Sequence, residues 1–311
     1  MRSLITGIDG FIGSWLAEAL VAAGDQVYGL TRKAGAGAAA ERVTRLTGDL
    51  TSPAFVKDAI AEARPERIFH LAALNNIQDS FADPQLTVET NVLGSLSLLE
   101  AVRQVVPTAC FVSVGSSAEY GKTAAESALL SEDLPLFPTS PYGISKLSQG
   151  QFSRVYAQAH GLRSIHVRPF AIIGPRKKRD ALGDFCKNVA AIERGESDHF
   201  AVGNVGSERD FVDVRDCVSA LIVVSEQGKA GLAYNLCNSR AASLGDILAL
   251  LQRMSRRSFE PTRDPSRLRT ADDPRIVGDS SRIRALGYAP RFSLEETVAA
   301  TLEYWRSAVA P

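Results

Sequence analysis

Gly7-Ile8-Asp9-Gly10-Phe11-Ile12-Gly13 decides the fold of this chain. The segment follows a short strand-like run at residues 3–6 and opens a helical pattern at 11–23, so its glycines fall on a strand-to-helix junction. Glycine there permits a tight turn and close backbone approach. The helix N-terminus beyond it offers free N–H groups and a positive dipole end to a diphosphate. Glycine turns after strands are common, and it is the βα position that gives this one weight. Further along, strand-like runs recur at residues 26–30, 43–47, 67–71, 109–114 and 164–168. Helical patterns stand between them at 53–63, 84–106 and 142–160. Such alternation predicts an α/β chain with a doubly wound parallel sheet of the Rossmann type, helices covering both faces.

After Pro169 the regularity fades. Residues 176–179, 203–209 and 261–274 read as loops around shorter helices and strands, and the Gly/Ala stretch 34–40 as a surface loop. The expected organisation is a dinucleotide-binding domain over residues 1–170. A smaller mixed α/β lobe for substrate follows over 171–311, some of its segments returning to the first core.

The 45% apolar and 23% charged content of the 311 residues is that of a soluble globular protein. Lys plus Arg equals Asp plus Glu at 35 each, so no net field favours nucleic acid or an anionic membrane as partner. No apolar run approaches the roughly 18 residues that span a bilayer. A strand entered directly after Met1 leaves no room for a signal peptide, and a cytoplasmic protein is expected. Cys110, Cys186, Cys217 and Cys237 form no CxxC pair and read as reduced, mostly buried thiols. His70, His160, His166 and His199 have no ligand spacing, so no metal is expected.

Chemistry enters with Ser140-Pro-Tyr142-Gly-Ile-Ser-Lys146 and, upstream, Ser116-Ser117. A free phenol has a pKa of roughly 10, too high for ready proton exchange near neutrality. A lysine one helical turn from Tyr142 stabilises the phenolate and brings that value toward the working range. Ser116 can hydrogen-bond the same substrate oxygen. With a nicotinamide cofactor on the glycine turn, this is an oxidoreductase site. NAD-selective sites place an acid about 20 residues after the turn to hold the ribose. Here the second strand ends Leu30-Thr31-Arg32-Lys33, without a carboxylate. Arg32 and Lys33 either pair with a 2′-phosphate, favouring NADP(H), or are two solvated residues at a loop start. Asp49 either meets the adenine or caps a helix before Pro53.

These pieces, in this order, resemble the extended short-chain dehydrogenase/reductases that act on nucleotide sugars. The likeness runs along essentially the whole chain. It includes Gly48-Asp49-Leu50, His70-Leu71-Ala72-Ala73, Asn91-Val-x-Gly94, Ser116-Ser-Ala-Glu-Tyr-Gly121, Arg168-Pro-Phe170 with Gly174-Pro175, and Arg209-Asp-Phe-x-Asp-Val214. Gly203-Asn204, Asp184-Phe185, Arg269, Gly278-Asp-x-Ser-Arg282 and Leu286-Gly-Tyr-x-Pro290 look most like the GDP-mannose dehydratase and GDP-4-keto-6-deoxymannose reductase branch. The resemblance implies Ser116, Tyr142 and Lys146 as catalytic residues. It implies NADP(H) held by Gly7, Gly10, Phe11, Ile12, Gly13, Arg32, Lys33, Asp49, Leu50, Leu71, Ala72 and Ala73, with Tyr142 and Lys146. A nucleotide-diphosphate sugar, GDP-linked, would be gripped by Ser117, Asn188, Arg209, Arg269 and Asp272, where a surface arginine paired locally is the plainer reading of each guanidinium. Residues 176–179 either cover the diphosphate or form a solvated basic loop. A homodimer built from the helices at 84–106 and 142–160 is implied too, although an apolar stripe on them could equally face their own sheet.

Family members share the Ser/Thr, Tyr and Lys, so the neighbours must choose the reaction. Counted from Tyr120, Ala118 falls where the 4,6-dehydratases resembled here carry a glutamate that handles the C5 proton. The fucose-synthase type has a cysteine there and a histidine shortly before its Gly-Pro, where this chain has Ala171-Ile172-Ile173. Alanine cannot exchange a proton, so C–H acid/base chemistry lacks its agent. Glu119 is adjacent, but neighbours in a strand-end segment point to opposite faces. NADPH-dependent reduction of the C4 ketone of a GDP-4-keto-6-deoxyhexose is therefore expected. The alternatives are a dehydratase or epimerase of the same family, or a non-catalytic NADP-binding sensor, a class that commonly loses the Tyr or Lys retained here. Ala171 also replaces an Asn that positions the sugar nucleotide in many relatives, which points to an altered sugar pocket.

Overall fold

The computed structural model describes residues 1–32, 42–267 and 275–308. Seven short strands form the central sheet: β1 (Arg2–Thr6), β2 (Gln26–Thr31), β3 (Val43–Thr47), β4 (Arg67–His70), β5 (Cys110–Val114), β6 (Ser164–Pro169) and β7 (Ala233–Leu236). Their spatial order is β7-β6-β5-β4-β1-β2-β3, every neighbour parallel. The order reverses between β1 and β4. In an open α/β sheet that reversal leaves a crevice beyond the strands' carboxyl ends.

Successive strand residues point to opposite faces, and the core divides accordingly. Leu4, Ile68 and Phe111 face the Pro53–Ala63 and Gly94–Val105 helices. Ile5, Phe69 and Val112 face the Phe11–Ala22 and Val214–Gln227 helices. Each such side chain contributes about 1.5–3 kcal/mol by leaving water. A separate apolar cluster joins the Ala181–Glu193, Leu244–Met254 and Leu294–Ser307 helices, with Phe200 stacked on Phe259 at 4.6 Å between ring centroids.

Element positions follow the sequence closely, with informative departures. The single helix expected at 84–106 is three pieces: Pro84–Val88, a π-helical turn Glu89–Leu93, and Gly94–Val105. Asn91, inside the π turn, accepts from the Leu74 N–H (2.8 Å) and donates to the Leu74 carbonyl (3.0 Å). A helix Ile77–Ala82, capped by Asn76, fills a stretch with no strong sequence pattern. Residues around Ser116 form a 3₁₀ turn, Ser117–Glu119, rather than a strand end. Residues Pro261–Arg263 pair with Phe200–Val202 as a strand, while the rest of the expected loop at 268–274, and the 34–40 stretch, lie outside the described residues. All four cysteines are buried and unpaired. No described helix is long and apolar enough to cross a membrane.

Candidate active site

Thr6 ends β1 and Gly7 turns the chain with φ +69°. A Cβ on Gly7 would stand 2.9 Å from the Ala72 nitrogen, and one on Gly13 would overlap the Gly7 carbonyl. The turn and the Leu71–Ala72 segment after β4 are thus in backbone contact, braced by the Ala72 N–H donating to Thr6 Oγ1 at 3.1 Å. Gly10 is the N-cap of the Phe11–Ala22 helix and supplies no side-chain cap. Bare backbone donors at a helix start, with no Cβ in the way, fit a dinucleotide diphosphate. Beneath them His70 bridges Thr6 Oγ1 and Ser95 Oγ, each at 2.8 Å. Burial, seconded by the Lys146 charge, pulls His70 down to about 3, so it stays neutral.

Arg32 lies exposed just past β2, and Lys33 falls outside the described residues. Thr51 hydrogen bonds, and more weakly the Arg32 charge, hold Asp49 below the ordinary carboxylate range. Asp49 does not cap the following helix. Ser52 does, accepting from the Phe55 N–H at 3.4 Å. Leu50 is buried with its Cβ beside Gly94.

The Pro141–His160 helix begins with Ser140 accepting from the Gly143 N–H (3.0 Å) and Pro141 in its first turn. This start places Tyr142 one turn before Lys146. Ser116 lies beside Tyr142, and its hydroxyl favours the phenolate. Lys146 Nζ donates to the Val114 carbonyl at 2.8 Å and to Gln149 Oε1 at 3.0 Å. The expected acidification of the phenol by the lysine is not what this geometry produces. Burial dominates and pushes Tyr142 up to about 12, the Ser116 hydroxyl opposing and the Glu119 charge adding. Burial likewise pulls Lys146 down to about 8, against the pull of Glu119. The resting phenol keeps its proton.

Glu119 closes the 3₁₀ turn, wholly buried, in an ion pair with Arg168 and a hydrogen bond with His166, both at 2.9 Å. Its burial opposes ionisation, but His166 and Arg168 hold it below the usual carboxylate range. It is therefore unavailable for moving a sugar C–H proton. Ser117 is half-buried in the same turn. Asn188 is half-buried on the Ala181–Glu193 helix, and Arg209 sits in the two-residue strand Glu208–Arg209, donating to the Glu208 carbonyl at 2.8 Å. Arg269 and Asp272 lie outside the described residues. Arg176 is no solvated loop residue: it forks onto Glu18 (2.7 and 3.1 Å) and covers the Trp15 ring. The glycine turn is in backbone contact with Ala72, and the Ser117–Glu119 turn packs against the helix that carries Tyr142 and Lys146. Sequence reasoning assigned no role to His70, Asn91, Gln149 or His166. Only Asn91 and His70 carried a signal, as members of quoted motifs.

A glycine-turn dinucleotide cradle beside a Ser, Tyr and Lys on a parallel sheet defines the extended short-chain dehydrogenase/reductases, oxidoreductases acting on nucleotide sugars. The family model for GDP-mannose 4,6-dehydratase matches residues 4–301, and the chain belongs to that family. It is 29% identical over 311 residues to the GDP-6-deoxy-D-mannose reductase of Pseudomonas aeruginosa, covering 99% of this chain and 98% of that protein. The structure of RMD from Pseudomonas aeruginosa complexed with NADPH superimposes with a TM-score of 0.87 at 28% identity, covering 99% of this chain and all (100%) of that one. UDP-glucose 4-epimerase of Thermus thermophilus in complex with NAD gives 0.89 at 28% identity, with the same coverage.

Proposed function

We propose that the protein is an NADPH-dependent 4-ketoreductase of a GDP-4-keto-6-deoxyhexose, giving GDP-D-rhamnose or its C4 epimer GDP-6-deoxy-D-talose. The observation that carries this is Ala118. Its N–H is bonded to Ser116 Oγ at 3.1 Å, and its side chain is a methyl group beside the residue proposed to hold the ketone. The one carboxylate next to it, Glu119, is buried and fully engaged. Neither Ala118 nor Glu119 can take a proton from carbon, which favours carbonyl reduction.

In this reading Gly7, Gly10, Gly13 and Ala72 present backbone to the cofactor diphosphate, and Arg32 meets the 2′-phosphate. When bound, the reduced nicotinamide supplies the hydride. Ser116 holds and polarises the ketone oxygen, and Tyr142 donates its proton to the alkoxide formed there. Lys146 turns from Val114 and Gln149 toward the nicotinamide ribose. Arg209 and Asn188 take the diphosphate and sugar on the C-terminal side. Likeness to a GDP-6-deoxy-D-mannose reductase supports the substrate class. The fold likeness to an NAD-bound epimerase favours a second reading, a 4-epimerase or 4,6-dehydratase.

NADPH and NADH oxidation with a panel of GDP-, dTDP-, UDP- and CDP-linked 4-keto-6-deoxy sugars separates the readings. Rapid turnover of NADPH with a GDP-linked ketone is expected. A 4-keto product formed from GDP-mannose without added reductant would overturn the reductase.

A further inference from the structure

Behind Ser116 lies a buried charge that the proposed reaction does not use. Glu119 Oε1 accepts from the Ser116 N–H at 2.9 Å and from His166 Nε2 at 2.9 Å, while Oε2 accepts from Arg168 Nε at 2.9 Å. The partners are themselves fixed. His166 Nδ1 lies 3.1 Å from Ser113 Oγ, and Arg168 Nη1 donates to the Tyr120 hydroxyl and the Glu132 carbonyl, each at 3.3 Å. The surrounding backbone is committed to this arrangement. A Cβ on Gly115 would overlap Glu119 Oε1 and His166 Nε2, and one on Gly150 would come within 2.7 Å of His166 Nε2.

A capping box usually sits in water at the start of a helix. This one serves a turn of three residues, yet its carboxylate is wholly out of solvent and is met by two side chains from β6, the Arg168 guanidinium and the His166 ring. Burying a charge is unfavourable unless every lone pair is met. Capping so short a turn does not require it. What the carboxylate does hold is the backbone of Ser116, whose Oγ accepts from the Ala118 N–H at 3.1 Å, beside a turn that packs against the Tyr142-bearing helix.

We propose that Glu119 is a positioning residue for Ser116, its Oε1 fixing the serine backbone so that the hydroxyl stays within reach of Tyr142 and the sugar oxygen, with His166 and Arg168 holding the carboxylate in place. This deepens the function proposed above. It rests only on Ser116 and Tyr142 acting at a sugar oxygen, which reduction, dehydration and epimerisation share.

Two near-isosteric variants separate reach from charge. Glu119→Gln keeps an oxygen for the Ser116 N–H and loses the charge. Glu119→Asp keeps the charge and withdraws it by one carbon. The wild type is first assayed with the ketone panel and with GDP-mannose, and whichever reaction it catalyses becomes the assay. A missing NADPH oxidation at that stage rejects the reductase reading alone. Glu119→Gln is expected to keep kcat within about 10-fold, and Glu119→Asp to lose about 100-fold, the cost of a misplaced group of roughly 1 Å. KM for the cofactor stays unchanged in both. In a Ser116→Ala background, Glu119→Asp should lower kcat no further. If Asp retains more activity than Gln, the role is charge compensation within the fold. An undiminished loss without Ser116 equally overturns the proposal.

Discussion

Tyr142 keeps its proton in the resting protein because it is buried, and the neighbouring serine hydroxyl only partly offsets that. Tyr142→Phe removes the acid without disturbing the packing. It should lower kcat by about 10²–10⁴-fold while fluorescence titration finds NADPH affinity unchanged; an unchanged kcat would reject the proposed acid. Lys146 is the destabilised partner. Its folded value, pulled to about 8 by burial, lies below the ordinary lysine range. Below that value the folded chain carries a disfavoured buried ammonium. Between it and the unfolded value the unfolded chain binds more protons, so stability rises with pH across that window. Lys146→Met should therefore abolish turnover yet raise Tm near about pH 7. The gain is on the order of 1 kcal/mol, since lost bonds to Val114 and Gln149 offset part of it, and it should narrow near about pH 9.5. A variant melting below wild type near neutrality would contradict this account.

The helical elements are tied to one another at Asn91. Besides gripping both polar groups of Leu74, its amide donates to Ser145 Oγ, one residue before Lys146, at 3.0 Å. The π turn is thus a clamp between the chain after β4 and the tyrosine-bearing helix. Asn91→Ala should cost about 2–4 kcal/mol, several buried partners being left unpaired, and should lower the urea midpoint and kcat together. A loss of stability with intact kcat would separate the clamp from the site. These tertiary ties also mark where the sequence ceased to be legible. Most of the strands could be read because they are short runs with buried apolar faces, and the Tyr142–Lys146 pair because helical spacing alone brings it together. The π turn could not be read, since Asn91 distorts the helix only by meeting a peptide far along the chain. The 3₁₀ turn at Ser117–Glu119 left a trace, Ser116-x-x-Glu119, that alternation-based reading passed over. Which groups hold their protons was invisible, because burial depends on how distant elements close over them.

For the protein as a whole, apolar side chains remain uncovered where the helices of the tyrosine side meet. Phe81, Leu86, Leu93, Ile144 and Val155 are all exposed there, on segments packed around the Pro141–His160 helix. Exposed apolar surface gathered in this way is expected to be covered by a second copy of the chain. Light scattering should give the mass of two chains, and Ile144→Glu should shift it to one; a single-chain mass for the wild type would refute the dimer. The central sheet adds a constraint of another kind. Its last strand, Ala233–Leu236, arrives long after Ser164–Pro169 and pairs with it residue for residue. A polypeptide released near residue 170 would carry a raw rim of unmet N–H and C=O groups, an invitation to clump with its own kind. During synthesis the emerging chain must shield that rim until Leu236 has cleared the ribosome. Cutting the gene at the apparent boundary between the halves should therefore yield inclusion bodies rather than a working cofactor-binding fragment.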